Sequence, residues 1–314
     1  MDHPSISVIM PVYNGEKFIA NAINSILSQR LKPDQLIIVN DGSTDNTENI
    51  IIDYEKKYPK FIKYIKQINK GPSEARNNGI NKSSGNYLAF IDADDEWEIN
   101  KLELQMKKFS NSNFPNLGLI YSDYTLIETT GTTLKNNISH IITNYKGNIY
   151  LPLITNNKIC NSTVIIKKTC FDQCGPFNSN LRGAEDWDLW LKISQIFQVD
   201  FCAEKLTRLR LHKNNSSKNT HLMLSSEIFV LLKQAEAQTD NTIIKQIKNS
   251  LNNRIIWNLP ITNSYKLLKK SLTPRLKNKI YGNGIFTLEW SLILTIIIKT
   301  ILFPINAIKR QTPA

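Results

Sequence analysis

The chain has 314 residues, of which 41% are hydrophobic and 21% charged, and a formal net charge of +12. That length allows about two domains with a sizeable core. The four cysteines (Cys160, Cys170, Cys174, Cys202) form no CxxC pair, and no His or Cys cluster has zinc spacing, so a structural zinc site is excluded and the thiols read as reduced, buried apolar residues.

The charge is unevenly spread. Residues 1–204 hold 21 Lys+Arg against 23 Asp+Glu, a net of −2, whereas 205–314 hold 18 against 4, a net of +14. A basic block of that kind suits nucleic acid, anionic lipid or polyphosphate, or a plainly soluble helical face. Met1-Asp-His-Pro is polar and a strand follows within a few residues, so no signal peptide and a cytoplasmic location are expected.

Taken in chain order, Ser5–Val12 reads as a first strand, and Glu16–Gln29 repeats apolar residues at helical spacing (Phe18, Ile19, Ala22, Ile23, Ile26, Leu27). Gln35–Val39 is a second strand, followed by Asp41-Gly-Ser-Thr-Asp45 and a helix to about Tyr58. A third strand at Phe61–Ile68, a helix at Ser73–Asn81 and a fourth strand at Asn86–Ile91 complete an alternation that specifies βαβ units and a parallel sheet. A helix near Lys101–Phe109 and a strand near Leu117–Tyr124 extend it. Residues 125–150 read as an excursion over one face. Ser162–Ile166 is a further strand, Asp186–Phe197 an amphipathic helix and Lys205–His212 an alternating strand; from about His221 the chain is helical and basic.

The stretch Ile285–Ile308 is strongly apolar, yet Glu289 and Lys299 interrupt it, leaving no uncharged run near the roughly 18 residues of a spanning helix. Ser291, Thr295, Lys299 and Asn306 would form a narrow polar stripe. An amphipathic helix in the membrane interface, anchored by Trp290 and Phe303 and preceded by a lysine-rich stretch, fits this pattern; a helix docked against the protein's own core or a dimer partner is the alternative.

Chemistry-bearing groups collect at four strand ends. After the first strand come Pro11-Val-Tyr13-Asn14-Gly15-Glu16, where Tyr13 can offer a flat face to a base. After the second comes Asn40-Asp41-Gly42-Ser43-Thr44-Asp45, where Asp41 can accept from a nucleobase N–H and Ser43 or Thr44 can cap the next helix. After the third comes Gly71-Pro72-Ser73-Glu74-Ala75-Arg76-Asn77, with Arg76 one turn into a helix, placed to reach a phosphate or to hold acidic loops. The fourth strand stops in Asp92-Ala93-Asp94-Asp95 at the carboxyl end of the sheet, where α/β folds bind ligands. Crowded carboxylates need a cation between them, and a divalent metal carrying a diphosphate supplies one. Helix capping is an alternative reading for Asp95. No GxGxxG follows the first strand and no GxxxxGK[ST] occurs, which removes the phosphate cradles of dinucleotide-binding and P-loop proteins. Farther on, Glu185-Asp186-Trp187-Asp188 opens a helix whose Trp187, Leu189, Trp190 and Ile193 face inward. An ordinary aspartate at that rigid start, with a pKa near 4, would be ionised and able to accept a proton.

Pro11-Val-Tyr-Asn14, Asn40-Asp-Gly-Ser-Thr-Asp45, Gly71-Pro-Ser-Glu-Ala-Arg-Asn77, Asp92-Ala-Asp94-Asp95 and Gly183-Ala-Glu185-Asp186-Trp187-Asp188-Leu-Trp190 together resemble the family 2 glycosyltransferases of the GT-A fold, over residues 5 to about 215. The resemblance implies a catalytic domain at 1–215 with a mostly parallel central sheet flanked by helices, followed by a basic helical extension at 216–284 and the apolar amphipathic helix at 285–314. It implies that Pro11, Tyr13, Glu16 and Asp41 hold the nucleoside, usually uridine, with Arg76 nearby and Asp92 and Ala93 at the donor. It further implies that Asp94, Asp92 and His212 hold a divalent metal, Mn2+ or Mg2+, and that Asp186 is the general base of an inverting transfer, supported by Glu185. The partners so implied are a nucleotide-sugar donor and a glycan or lipid-linked acceptor, with anionic membrane adjoining the tail, in bacterial surface polysaccharide synthesis. Nucleic acid is not expected, because the basic third lacks interleaved aromatics. A metal-dependent sugar nucleotidyltransferase is the competing enzyme class, but Val12-Tyr-Asn-Gly-Glu16 lacks its Gly-rich, Lys-bearing loop. A non-catalytic membrane- or nucleic-acid-binding protein is the third reading.

Overall fold

The computed structural model describes residues 4–134 and 145–258. Its first half is a succession of βαβ units: β1 (Ile6–Val12), α1 (Ile19–Leu27), β2 (Gln35–Asn40), α2 (Thr47–Lys57), β3 (Ile62–Lys66), α3 (Pro72–Lys82) and β4 (Tyr87–Phe90). β1 pairs in parallel with β2 and with β4, and β2 with β3. All seven residues of β1 are buried, because helices cover both faces of such a sheet and no polar face is left to alternate. Parallel alignment brings the carboxyl ends of β1, β2 and β4 to one edge, and the loops that leave them carry Asn14, Asp41 and Asp92.

The second half is built differently. It comprises β5 (Glu96–Trp97), α4 (Lys101–Asn111), β6 (Leu117–Ile127), α5 (Tyr150–Thr155), β7 (Ile165–Lys167), α6 (Thr169–Cys174), α7 (Glu185–Ile196) and β8 (Gln198–Arg210). The eight strands lie in the order β3-β2-β1-β4-β7-β6-β8-β5. β7 is antiparallel to both β4 and β6, β8 is parallel to β6, and β5 is antiparallel to β8. The sheet is thus mixed but mostly parallel, flanked by helices, the α/β architecture expected.

Several local expectations are corrected. Glu96 and Trp97, expected only as part of an acidic turn, form the short strand β5, while the helix expected near Lys101 does begin there. Ser162 lies not in a strand but in a 3-10 turn at Asn161–Thr163, with β7 beginning at Ile165. β8 runs from Gln198, seven residues before the expected start at Lys205. Leu151–Asn157 groups with a second compact unit, while Lys158–Asn215 groups with the first. Within that second unit α8 (Thr220–Ala237) lies beside α9 (Asn241–Asn258), and Ser250 Oγ donates to Ile154 O at 2.7 Å. The predicted tail at 285–314 lies outside the described residues. No helix among the described residues is long and apolar enough to cross a membrane.

Candidate active site

The loop after β1 is locked to the loop after β2. Asn14 adopts φ 52°, a left-handed conformation that Asn tolerates better than most residues. Its amide donates to Ser43 Oγ at 2.9 Å, and its Oδ1 accepts from the Thr44 amide at 2.8 Å. Ser43 and Thr44 therefore brace this loop and do not cap α2, a correction to the sequence reading. Glu16 takes part in the same brace, accepting from the Asn46 amide at 3.0 Å. Pro11 is buried in β1, whereas Tyr13 is 53% exposed, as a platform for a flat ligand must be.

Asp41 is only 3% exposed. Its carboxylate accepts from Gln67 Nε2 at 2.7 Å and from the Lys70 and Gly71 amides at 2.8 Å each. Those bonds shape the turn that leads into α3, where Gly71 has φ 93° and Pro72 occupies the first helical turn. A nucleobase N–H meeting Asp41 would share an oxygen that already serves the loop.

Arg76 joins two chain segments that sequence alone keeps apart. The side chain is 6% exposed; one terminal nitrogen donates to Asp92 Oδ1 and the other to Glu185 Oε1, each at 2.8 Å. The two carboxylates hold its guanidinium charged, raising its pKa against the opposing effect of burial. Its Cζ also lies 5.4 Å from the centroid of the Phe177 ring. Of the two roles open to Arg76, holding acidic loops is the one this structure contains.

The acidic loop is organised from below by residues that the sequence reading did not assign to the site. Ser162 Oγ accepts from the Asp92 amide at 3.0 Å and donates to Asp95 Oδ2 at 2.6 Å, which explains why a turn is needed there. Asn161 Nδ2 reaches Asp92 Oδ1 at 3.4 Å. Asp95 is 6% exposed and also accepts from the Arg210 amide at 3.0 Å. Burial, with the charges of Asp94 and Asp92 adding to it, pushes its carboxyl well above the ordinary range. Asp95 is thus an internal strut, and the capping alternative is set aside. The one available signal was the polar triplet Asn161-Ser162-Thr163 before an apolar run.

Asp94 faces His212. Asp94 Oδ2 lies 2.7 Å from His212 Nε2, and the ring's other nitrogen accepts from the Asn214 amide at 3.2 Å. That network assigns the proton to Nε2, which donates to Asp94. Burial, then the charge of Asp92, raises the Asp94 carboxyl, and His212 pulls it partly back. The His212 ring stacks on Phe18, with centroids 5.2 Å apart.

Asp186 sits in the first turn of α7, whose N-cap Ala184 has φ 55°. Trp187 and Trp190 below it are each 1% exposed and fix the helix start. The Trp187 amide donates to Asp186 Oδ1 at 2.6 Å. Burial pushes the Asp186 carboxyl up to about 7, with the charge of Glu185 next in effect and that of Asp92 adding to it. The expectation of an ordinary, fully ionised aspartate is therefore corrected. A base with a pKa near neutrality is better matched to proton transfer at neutral pH. Ala93 is 9% exposed and fills space between the loops, close to Gly15.

Among the described residues no three His, Cys, Asp or Glu side chains form a preassembled metal cage. Asp92 is engaged by Arg76, so the predicted ligands reduce to a touching pair, Asp94 and His212, with Asp92 two residues away. One or two carboxylates completed by substrate phosphates is how hard divalent cations are commonly held in phosphate-handling sites. The donor set fits a metal that arrives with a diphosphate.

The family model for glycosyl transferase family 2 matches residues 7–167. The chain is 34% identical over 212 residues to an uncharacterized glycosyltransferase of Rickettsia bellii, covering 68% of this chain and 29% of that protein. It spans about a third of the length of the Rickettsia felis and Rickettsia conorii relatives as well, 35% of each. It is 30% identical over 233 residues to the Escherichia coli UDP-Glc:alpha-D-GlcNAc-diphosphoundecaprenol beta-1,3-glucosyltransferase, covering 74% of this chain and 87% of that one. The fold matches that of a mannosyltransferase of Pyrobaculum calidifontis solved with GDP-Man and Mn2+, with a TM-score of 0.64 at 14% identity, over 98% of this chain and 88% of that one.

Proposed function

The chain belongs to glycosyl transferase family 2, and on that premise we propose that it transfers a sugar from a UDP-sugar to a hydroxyl of a glycan or lipid-linked acceptor, with inversion. The observation that supports this reading is Arg76, which ties Asp92 and Glu185, sequence neighbours of Asp94 and Asp186, into one site. A donor site and a base on one rigid frame are what a single displacement requires.

In this reading Tyr13, Pro11, Glu16 and Asp41 receive the nucleoside, Asp92 contacts the ribose, Ala93 adjoins the donor, and Arg76 nearby holds the acidic loops that frame it. Asp94, His212 and Asp92 hold Mn2+ or Mg2+. The metal, when bound, supplies Lewis-acid stabilisation to the departing nucleoside diphosphate. Asp186 accepts the proton of the acceptor hydroxyl as that oxygen bonds to the anomeric carbon. The bond from the same carbon to the diphosphate breaks on the opposite face, and the configuration inverts. Glu185 keeps Arg76 in place and, through its charge, helps to hold the Asp186 carboxyl near 7. The Escherichia coli relative, named for a UDP-Glc donor and a diphosphoundecaprenol-linked acceptor, supports a lipid-linked acceptor here. With it goes a place on the inner face of the cell membrane, where residues 285–314 would meet anionic headgroups.

The test is turnover of UDP-, GDP- and dTDP-sugars with a lipid-linked glycan acceptor in anionic vesicles, with Mn2+ or Mg2+. Metal-dependent release of UDP, abolished by Asp94→Ala, is expected. Turnover that is indifferent to metal and to Asp94 would overturn the metal assignment, and transfer of a nucleotidyl group would overturn the class.

A further inference from the structure

Arg210, the last residue of β8, is 1% exposed, yet its guanidinium is among the most heavily bonded groups of the first unit. Nε donates to the backbone carbonyl of Asp94 at 2.9 Å. One terminal nitrogen donates to the carbonyls of Glu128 and Thr129 at 2.9 and 3.1 Å, and the other pairs with Glu96. Its own amide donates to Asp95 Oδ1. Cζ lies 4.9 Å from the centroid of the Phe18 ring, the ring that also stacks on His212. Five residues beyond Arg210, Asn215 closes the arrangement. Its Oδ1 accepts from the His212 amide, and its Nδ2 donates to Arg210 O at 3.0 Å and reaches Asp94 Oδ2 at 3.4 Å.

Burying a guanidinium is costly unless its donors are used, and an apolar side chain of similar volume would pack the same space without that cost. Here the planar fork is directed at three segments at once: the Asp94 backbone, the 128–129 turn and β5. A lysine could serve only one of these directions well. Phe18 and Asn215 extend the same restraint to His212.

We infer that Arg210, with Asn215, is a positioning residue that presets Asp94 and His212 for a divalent cation, deepening the metal reading proposed above and resting on it. Neither residue needs to touch the donor. Partners that orient metal ligands typically contribute about 10–100-fold to metal affinity.

The test measures Mn2+ affinity in the presence of UDP, by the electron paramagnetic resonance of free Mn2+, for the full chain and its Arg210→Lys, Asn215→Ala and Asp94→Ala variants, alongside thermal melting. Asn215 is half-buried at the edge of the unit, so its variant keeps the readout available if Arg210→Lys fails to fold. Both positioning variants are expected to bind Mn2+ about 10–100-fold more weakly. Raising Mn2+ should restore turnover of whichever variant folds. A lowered melting temperature with wild-type Mn2+ affinity in the folded variants would make the residues merely structural and overturn the inference, provided that Asp94→Ala does weaken binding. Wild-type Mn2+ affinity in Asp94→Ala would instead overturn the metal reading itself.

Discussion

Two acidic clusters, Asp92-Ala-Asp94-Asp95 and Glu185-Asp186-Trp-Asp188, place three carboxylates in four positions and divide them in the same way. One member of each is tied to Arg76: Asp92 in the first and Glu185 in the second. Another is an internal strut. Asp95 bonds to Ser162 and the Arg210 amide, and Asp188, fully buried, pairs with Lys192 one turn on at 2.6 Å. The remaining member, Asp94 or Asp186, has its carboxyl raised chiefly by burial. The clusters differ in what faces that last group. Asp94 meets the His212 imidazole, a proposed metal ligand, whereas Asp186 sits on a helix start stiffened by tryptophans. Like sequences thus acquire unlike surroundings, and in the proposed mechanism one cluster serves the leaving group and the other the nucleophile.

Breaking the shared element should have the largest effect. Arg76→Met leaves two carboxylates without their partner, so donor affinity and turnover should fall together, and stability should drop by about 3 kcal/mol, read by nucleotide calorimetry, transfer assays and denaturant melts. Asp94→Ala should act on the first cluster alone, weakening Mn2+-dependent UDP binding roughly 10–100-fold in the same calorimetry. The next effect is on pH. Asp186 must be unprotonated to act as a base, so kcat/KM should rise with pH and level off above an acid limb near 7. Glu185→Gln, by removing the next largest cause of that rise after burial, should move the limb downward. The stability consequence has the opposite sign. A carboxyl whose folded pKa is about 7, against an ordinary aspartate value near 4, loses stability as pH rises between those values. Asp186→Asn should therefore gain on wild type in melting temperature from pH 4 to 7. The smallest effect belongs to the strut: Asp188→Asn should cost about 1–3 kcal/mol in denaturant melts while leaving UDP affinity unchanged.

The first half of the fold was legible because its code is local. β1, β2 and β4 are apolar runs closed by turns, and their loops leave on the same edge by the geometry of parallel pairing. The second half depends on pairings made far along the chain. A two-residue β5 finds its place only against β8, and a three-residue β7 only between β4 and β6. Neither is long enough to show a period of two. The candidate site divides likewise. Asp92, Asp94, Asp186 and His212 were visible as residues, but the Arg76–Glu185 bond spans 109 positions, and nothing in either motif announces it. Arg210 and Ser162 were invisible for the same reason. Their role comes from where β8 and the 161–163 turn arrive in space.

The division of labour between the clusters is tested most directly by Asp186→Asn, measuring UDP–Mn2+ affinity and sugar transfer on the same preparation. The account predicts UDP affinity within about twofold of wild type and transfer reduced by about 10² to 10⁴, the usual contribution of a general base. Transfer near the wild-type rate, or loss of UDP binding in proportion to the loss of transfer, would contradict it.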